Sequence, residues 1–155
     1  LRGLDADSGA YRRFLKTVVR LRLQLTPDGL SDPDGANSVF IDAAQPKLEA
    51  DVNKWLQYAR ANNLFAVPFI TSYRKVGERE KGWPVFEVRG YSMVTGVAGN
   101  VPVRTKEEFA MTVVISPNPK LDRDEQVDAP FVVRDYIGFF SNRERDEYNK
   151  RRGGQ

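Results

Sequence analysis

Asp135 and Tyr136 stand side by side in an apolar segment near the end of the chain, and Trp83 and Tyr91 bound another. These four are the best material for chemistry inside a cavity. A carboxyl group in an apolar setting can serve as a base or a hydrogen-bond donor, with tyrosine as its partner. Adjacent residues on a strand point to opposite faces, so only one of Asp135 and Tyr136 can share an interior with Tyr91 or Trp83. The competing reading is plainer, with aromatic rings as amphipathic packing and Asp135 turned to solvent. The chain has no histidine and no cysteine. A nucleophilic triad, an imidazole base and the common zinc sites therefore lack their parts. No catalytic residues, metal ligands or cofactor site are assigned: there is no G-K-[ST] phosphate loop, and Gly29, Gly35, Gly96 and Gly99 lack dinucleotide-binding spacing.

Two charged patterns invite a ligand and fail a closer test. Residues 26–35, TPDGLSDPDG, have an EF-hand look. With Gly35 at the sixth loop position, Asp32 and Asp34 fall at the third and fifth, but Leu30 and Ile41 occupy the two end-ligand positions. The segment is read as a loop of turn formers. Arg74, Lys75, Arg79 and Lys81 near Tyr73 and Trp83 suggest a nucleic-acid track, but Glu78, Glu80 and Glu87 interrupt it. No direct nucleic-acid binding is expected.

The elements that must position these residues follow from periodicity. From Ala10 to Leu25, Tyr11, Phe14, Leu15, Val18, Leu21 and Leu25 recur at helical spacing, with Ser8 as an N-cap. Arg12, Arg13, Lys16 and Arg20 share the other side, with no acidic residue from 10 to 25. That face is either plain solvated surface or a contact for anionic headgroups or an acidic partner. A second helix runs from about Asp42 to Asn62, with Leu48, Val52, Trp55, Leu56 and Ala59 on one side, and 39–41 adds a further helical turn between the two. After residue 64 the period drops to two, predicting about four strands: one from Phe65 with Pro68 at an edge or bulge, then Trp83–Thr95, Val103–Ser116 and Phe131–Phe140. Residues 96–100 read as a hairpin turn and 116–130 as a long exposed loop. Residues 143–152 carry five cations and three anions, supplying +2 of the chain's net +3. Helices first and strands after give an α+β fold: one domain over 1–140, then a charged tail over 141–155, frayed or helical.

This order resembles the cone-shaped fold of nuclear-transport-factor-two-like domains, N-terminal helices in the concave face of a bent antiparallel sheet. Within it, the chain is similar to the periplasmic domain of inner-membrane core components of type IV secretion systems, the TraE-like and TrbF-like conjugation proteins. The likeness rests on Trp55-Leu56-Gln57-Tyr58 closing the long helix, on FEVRGYSMVTG (86–96) beside TKEEFAMTVVISPNP (105–119), and on the closing APFVVRDYIGFF (129–140). It implies a periplasmic scaffold that oligomerises, contacts other channel subunits, and is held in the bacterial inner membrane by one helix upstream of Leu1. On that reading Tyr11, Arg12, Arg13, Lys16, Arg20, Arg89 and Tyr91 are interaction residues. The alternative class is a small-molecule binder, or an isomerase- or dehydratase-like enzyme, with Trp83, Tyr91, Asp135 and Tyr136 lining the cone. A third is an interaction domain of some larger protein.

Overall fold

The computed structural model describes residues 9–123 and 130–153. The N-cap expected at Ser8, and part of the loop expected over 116–130, lie outside the described residues. Helix α1 (Gly9–Leu23) buries Tyr11, Phe14, Leu15, Val18 and Leu21, the stripe expected from their spacing. It stops at Leu23, so Leu25 belongs to the next element, a miniature hairpin of β1 (Leu25–Thr26) and β2 (Gly29–Leu30).

The segment read as a plain loop thus holds two short strands and the start of helix α2 (Pro33–Val39). Asp32 caps α2: its side chain accepts from the Gly35 N–H at 3.0 Å, and Pro33 fits the first turn, where its missing donor costs nothing. The aspartate spacing that imitated a calcium loop is a helix cap. Phe40 then leaves the helix in extended conformation and bridges Val133, so no further helical turn forms over 39–41. Helix α3 (Ala44–Asn62) carries Pro46 in its first turn and ends at Asn63, whose left-handed backbone (φ 49°) stops it.

The rest is one antiparallel sheet, with β3 (Phe65–Glu78), β4 (Pro84–Ala98), β5 (Val101–Pro117) and β6 (Phe131–Phe139) in the order β2-β1-β3-β4-β5-β6. Six strands replace the expected four or so, the additions being the two-residue pair. The turn between β4 and β5 is Gly99-Asn100, both at positive φ (55° and 68°), the backbone that a two-residue hairpin requires. The sheet curls into a half-barrel. Register shifts occur between Ile70 and Ser72, Lys75 and Gly77, and Val114 and Ile115, and such bulges bend a strand. At Gly90 and Gly138 an added Cβ would run into the carbonyl oxygens of Phe69 and Ala110, so the neighbouring strand closes in only because glycine is there.

The concave face holds the core. Phe86 and Val88 of β4, Phe109, Met111, Val113 and Ile115 of β5, and Phe131 and Val133 of β6 pack against α1. Tyr11, expected on an interaction surface, is buried there: its ring lies 4.9 Å from that of Phe131 and 5.2 Å from that of Phe86. A tyrosine at the head of an apolar stripe gains more by burying its ring than by displaying it, about 1.5–3 kcal/mol for a large apolar side chain.

The charged segment after β6 is a helix, α4 (Asn142–Gly153), with none of its residues buried. Its first residue docks it. Asn142 Oδ1 accepts from the Glu108 N–H at 3.0 Å and its Nδ2 donates to the Lys106 carbonyl at 2.9 Å, while its own N–H donates to Glu107 at 3.0 Å. β6 pairs with β5 only from Ala110 onward, so this side chain takes over the β5 edge where β6 ends.

Candidate functional site

α1 and the strands fill one end of the half-barrel solidly. The other end is open, because α3 buries only Ala44, Leu48 and Ala59 and leaves Val52, Trp55 and Leu56 half-exposed. A cavity of about 530 Å³ opens between α3, α4 and the sheet, with Leu23, Trp55, Leu64, Val94 and Phe140 among its apolar walls. Trp55 is held in place by its indole N–H, which donates to the Thr26 carbonyl at 2.8 Å.

Polar groups meet at one side of this cavity. Arg22, the last but one residue of α1, falls in line with the helix's apolar stripe and is 5% exposed. Its Nη2 lies 3.2 Å from Asp51 Oδ2, and its guanidinium carbon lies 4.0 Å from the centre of the Phe140 ring. Asp51, on α3, also accepts from the Tyr136 hydroxyl at 2.5 Å. Burial raises the Tyr136 pKa well above the ordinary phenol value and the bond to Asp51 adds to that, against the opposing charge of Arg22. The phenol is therefore a neutral donor. Asp51 Oδ2 thus holds both a cation and a phenol. Ser92 lies on the concave face of β4, 4% exposed, and also lines the cavity.

Of the residues expected to line a cavity, only Tyr136 comes near this one. Tyr91 has the opposite parity on β4 from Phe86, Val88 and Ser92 and so lies on the outer face of the sheet, and Trp83, just ahead of β4, continues that parity. Trp83 is covered there by Arg134, 4.6 Å from its ring centre. Tyr91 stacks on Phe69 at 5.2 Å, with Lys106 Nζ 4.3 Å above its ring. Asp135 accepts from Lys47 Nζ at 2.6 Å in an exposed ion pair with α3. The four do not form a constellation.

The expected interaction residues divide as well. Arg12, Arg13, Lys16 and Arg20 are exposed on one side of α1, and none is ion-paired with a described residue. Arg89 lies on the outer sheet face and donates to Glu87 at 3.1 Å; this bond leads the effects that lower the Glu87 pKa, and Arg74 adds to it. On the same face Phe65, Val67 and Phe69 are 44%, 46% and 46% exposed, and the β3 edge is paired with β1 only at Ala66. Pro68 stands just past that last pair, the edge position expected for it.

Arg22, Asp51 and Ser92 were not singled out from sequence, yet each carried a signal. Arg22 follows Val18 by four residues, and Asp51 lies three after Leu48 and four before Trp55. Both polar groups thus interrupt apolar helical stripes. Ser92 interrupts the core parity of β4 between Val88 and Val94 in the same way.

No family model matches the chain, and no curated protein or solved structure matches it either. Among the described residues no cluster of three or more potential ligands could hold a metal ion, and no helix is long and apolar enough to cross a membrane.

Proposed function

We propose that the chain is a non-enzymatic assembly subunit of a type IV secretion channel for conjugative DNA transfer, with the cone-shaped nuclear-transport-factor-two-like fold. It works in the periplasm, anchored to the bacterial inner membrane, through contacts with its own copies and with other channel subunits. One observation carries this reading. Phe65, Val67 and Phe69 form an exposed apolar strip beside Tyr91, on a strand whose edge is unpaired past Ala66 among the described residues. Exposed apolar patches of this kind mark interaction surfaces, and a free strand edge is a ready pairing template. The basic side of α1 supplies a second surface, suited to anionic headgroups.

The test compares the wild-type chain with a Val67→Glu, Phe69→Glu variant by sedimentation equilibrium, and compares transfer frequency in the native host carrying each. Self-association of the wild type, lost with transfer in the variant, is the expected result. A wild type that stays monomeric, together with normal transfer by the variant, would remove the reading. The native open reading frame should also encode about 20 consecutive apolar residues ahead of this domain.

The rival small-molecule reading draws support from the open cavity. As a binder it needs no free base, whereas its enzymatic form would have to work with an Asp51 whose Oδ2 already holds Arg22 and Tyr136.

A further inference from the structure

The cavity between α3, α4 and the sheet has a chemistry of its own, independent of the outer assembly surface. Among the described residues, two buried side-chain polar atoms lack a hydrogen-bond partner, Arg22 Nε and Ser92 Oγ. Both residues line this one cavity. A buried polar group left unsatisfied costs about 1–3 kcal/mol, so two such atoms at one place call for an explanation.

The charges on the wall restrict what could satisfy them. Asp51 is engaged by Arg22 and Tyr136, Glu107 by the Asn142 N–H, Glu144 by the Phe140 N–H, and Glu147 by Arg143. An ammonium-type head has no lone pair to accept from the Arg22 Nε–H and would sit against the guanidinium charge. For an anionic one, Arg22 is already neutralised by Asp51, and the four carboxylates outnumber Arg22, Lys54 and Arg143 on the wall. Among the described residues, the buried groups without a partner are one N–H donor and one hydroxyl. Around them the wall is apolar and aromatic, and a volume of about 530 Å³ suits a small organic molecule.

We propose that this cavity binds a small uncharged amphiphile, with an apolar chain or ring against Trp55, Leu64 and Val94 and a hydroxyl-type head group at Arg22 and Ser92. The head accepts from Arg22 Nε and exchanges a hydrogen bond with Ser92 Oγ. Both atoms are buried on residues that line the cavity, and the staggered rotamers of serine offer the movement that presents the hydroxyl.

Trp55 reports on the site directly. In a Trp83→Phe background it is the remaining tryptophan of the chain, and Trp83 itself lies on the other face of the sheet. Its emission is followed while 1-octanol, octanoate and octylammonium are titrated in turn, one chain length with three head charges. Saturable binding of 1-octanol, about tenfold tighter than either ion, is the expected result, since a carboxylate head meets the wall's excess of carboxylates and an ammonium head has no acceptor for the Arg22 Nε–H. Ser92→Ala should weaken 1-octanol about fivefold, the worth of one neutral hydrogen bond. Val94→Phe should abolish binding by filling the cavity. Should Val94→Phe not fold, amide shift changes on adding 1-octanol to the wild type replace it, expected at Leu64, Val94 and Phe140 and not at Tyr91. Absence of saturable binding, equal or tighter binding of an ion, an unchanged Ser92→Ala, binding retained in a folded Val94→Phe, or shifts centred on Tyr91 would each overturn the proposal.

Discussion

The Tyr136 hydroxyl donates to Asp51 Oδ2 at 2.5 Å, tying the last strand of the sheet to the middle of α3. With Arg22 on the same carboxylate, the bond joins α1, α3 and β6 at the side of the cavity. α3 has little apolar burial of its own, so its position depends on this polar junction more than a core helix would.

Tyr136→Phe should cost about 1–2 kcal/mol in urea unfolding, since Asp51 loses a donor while keeping Arg22. The same variant has a pH signature. The folded-state pKa of Tyr136 is raised above its ordinary 10.0. Its contribution is complete below that value and falls as pH rises past it, because the unfolded chain then releases a proton that the folded chain retains. The wild type should lose stability as pH rises past about 10, and Tyr136→Phe should lose less over the same range. Tyr11, raised mainly by burial, supplies a part that remains. Equal slopes in the two proteins would contradict this.

Arg22→Leu should destabilise by about 2–3 kcal/mol, below the 3–5 typical of fully buried pairs because Asp51 keeps some solvent; its side chain is 28% exposed. In a double-mutant cycle with Asp51→Asn, the two losses should fall short of additive by about 1 kcal/mol or more. Simple additivity would show that the two residues act independently.

Asn142→Ala removes both side-chain bonds to the β5 edge and should cost about 1–2 kcal/mol. Hydrogen exchange should quicken at the Glu108 amide and throughout α4, with the amides of Phe109 to Ile115 unchanged. Slow exchange retained in α4 would mean that another contact docks it.

Replacing Arg12, Arg13, Lys16 and Arg20 together by Gln should leave the circular dichroism spectrum unchanged, because all four side chains are exposed. Co-sedimentation with vesicles rich in anionic lipid should fall at least tenfold, given about 1 kcal/mol per cation near such a surface. Equal binding by both proteins would show that this face is simply solvated.

The backbone plan was legible wherever period and burial agreed. The α1 stripe, the long α3, and the drop to a two-residue period after residue 64 are statements about apolar spacing, and spacing survives into the fold. The hairpin at Gly99-Asn100 was legible because positive φ at both positions is a local demand. β1 and β2 were not, since two residues carry no period. α2 was hidden because an aspartate that caps a helix and one that begins a calcium loop look alike in sequence. The cavity set failed for a different reason. Trp83, Tyr91, Asp135 and Tyr136 were chosen for residue type, while the sheet face each occupies depends on strand register and on the Val114/Ile115 bulge. Arg22, Asp51 and Ser92 were the better signal, as polar residues placed against their own pattern.

The two-residue turn at Gly99-Asn100 also bears on how the chain acquires its shape. β4 and β5 pair continuously from Ala98 and Val101 back to Val85 and Val114, without a register break. Every rung beyond the turn follows from the one before it, so this ribbon can zip from its tip without closing a long loop. The junction of Arg22, Asp51 and Tyr136 is the opposite case, joining segments 85 residues apart between Asp51 and Tyr136 alone. Sequence separation therefore favours the hairpin as an early template and the site beside the cavity as a late addition.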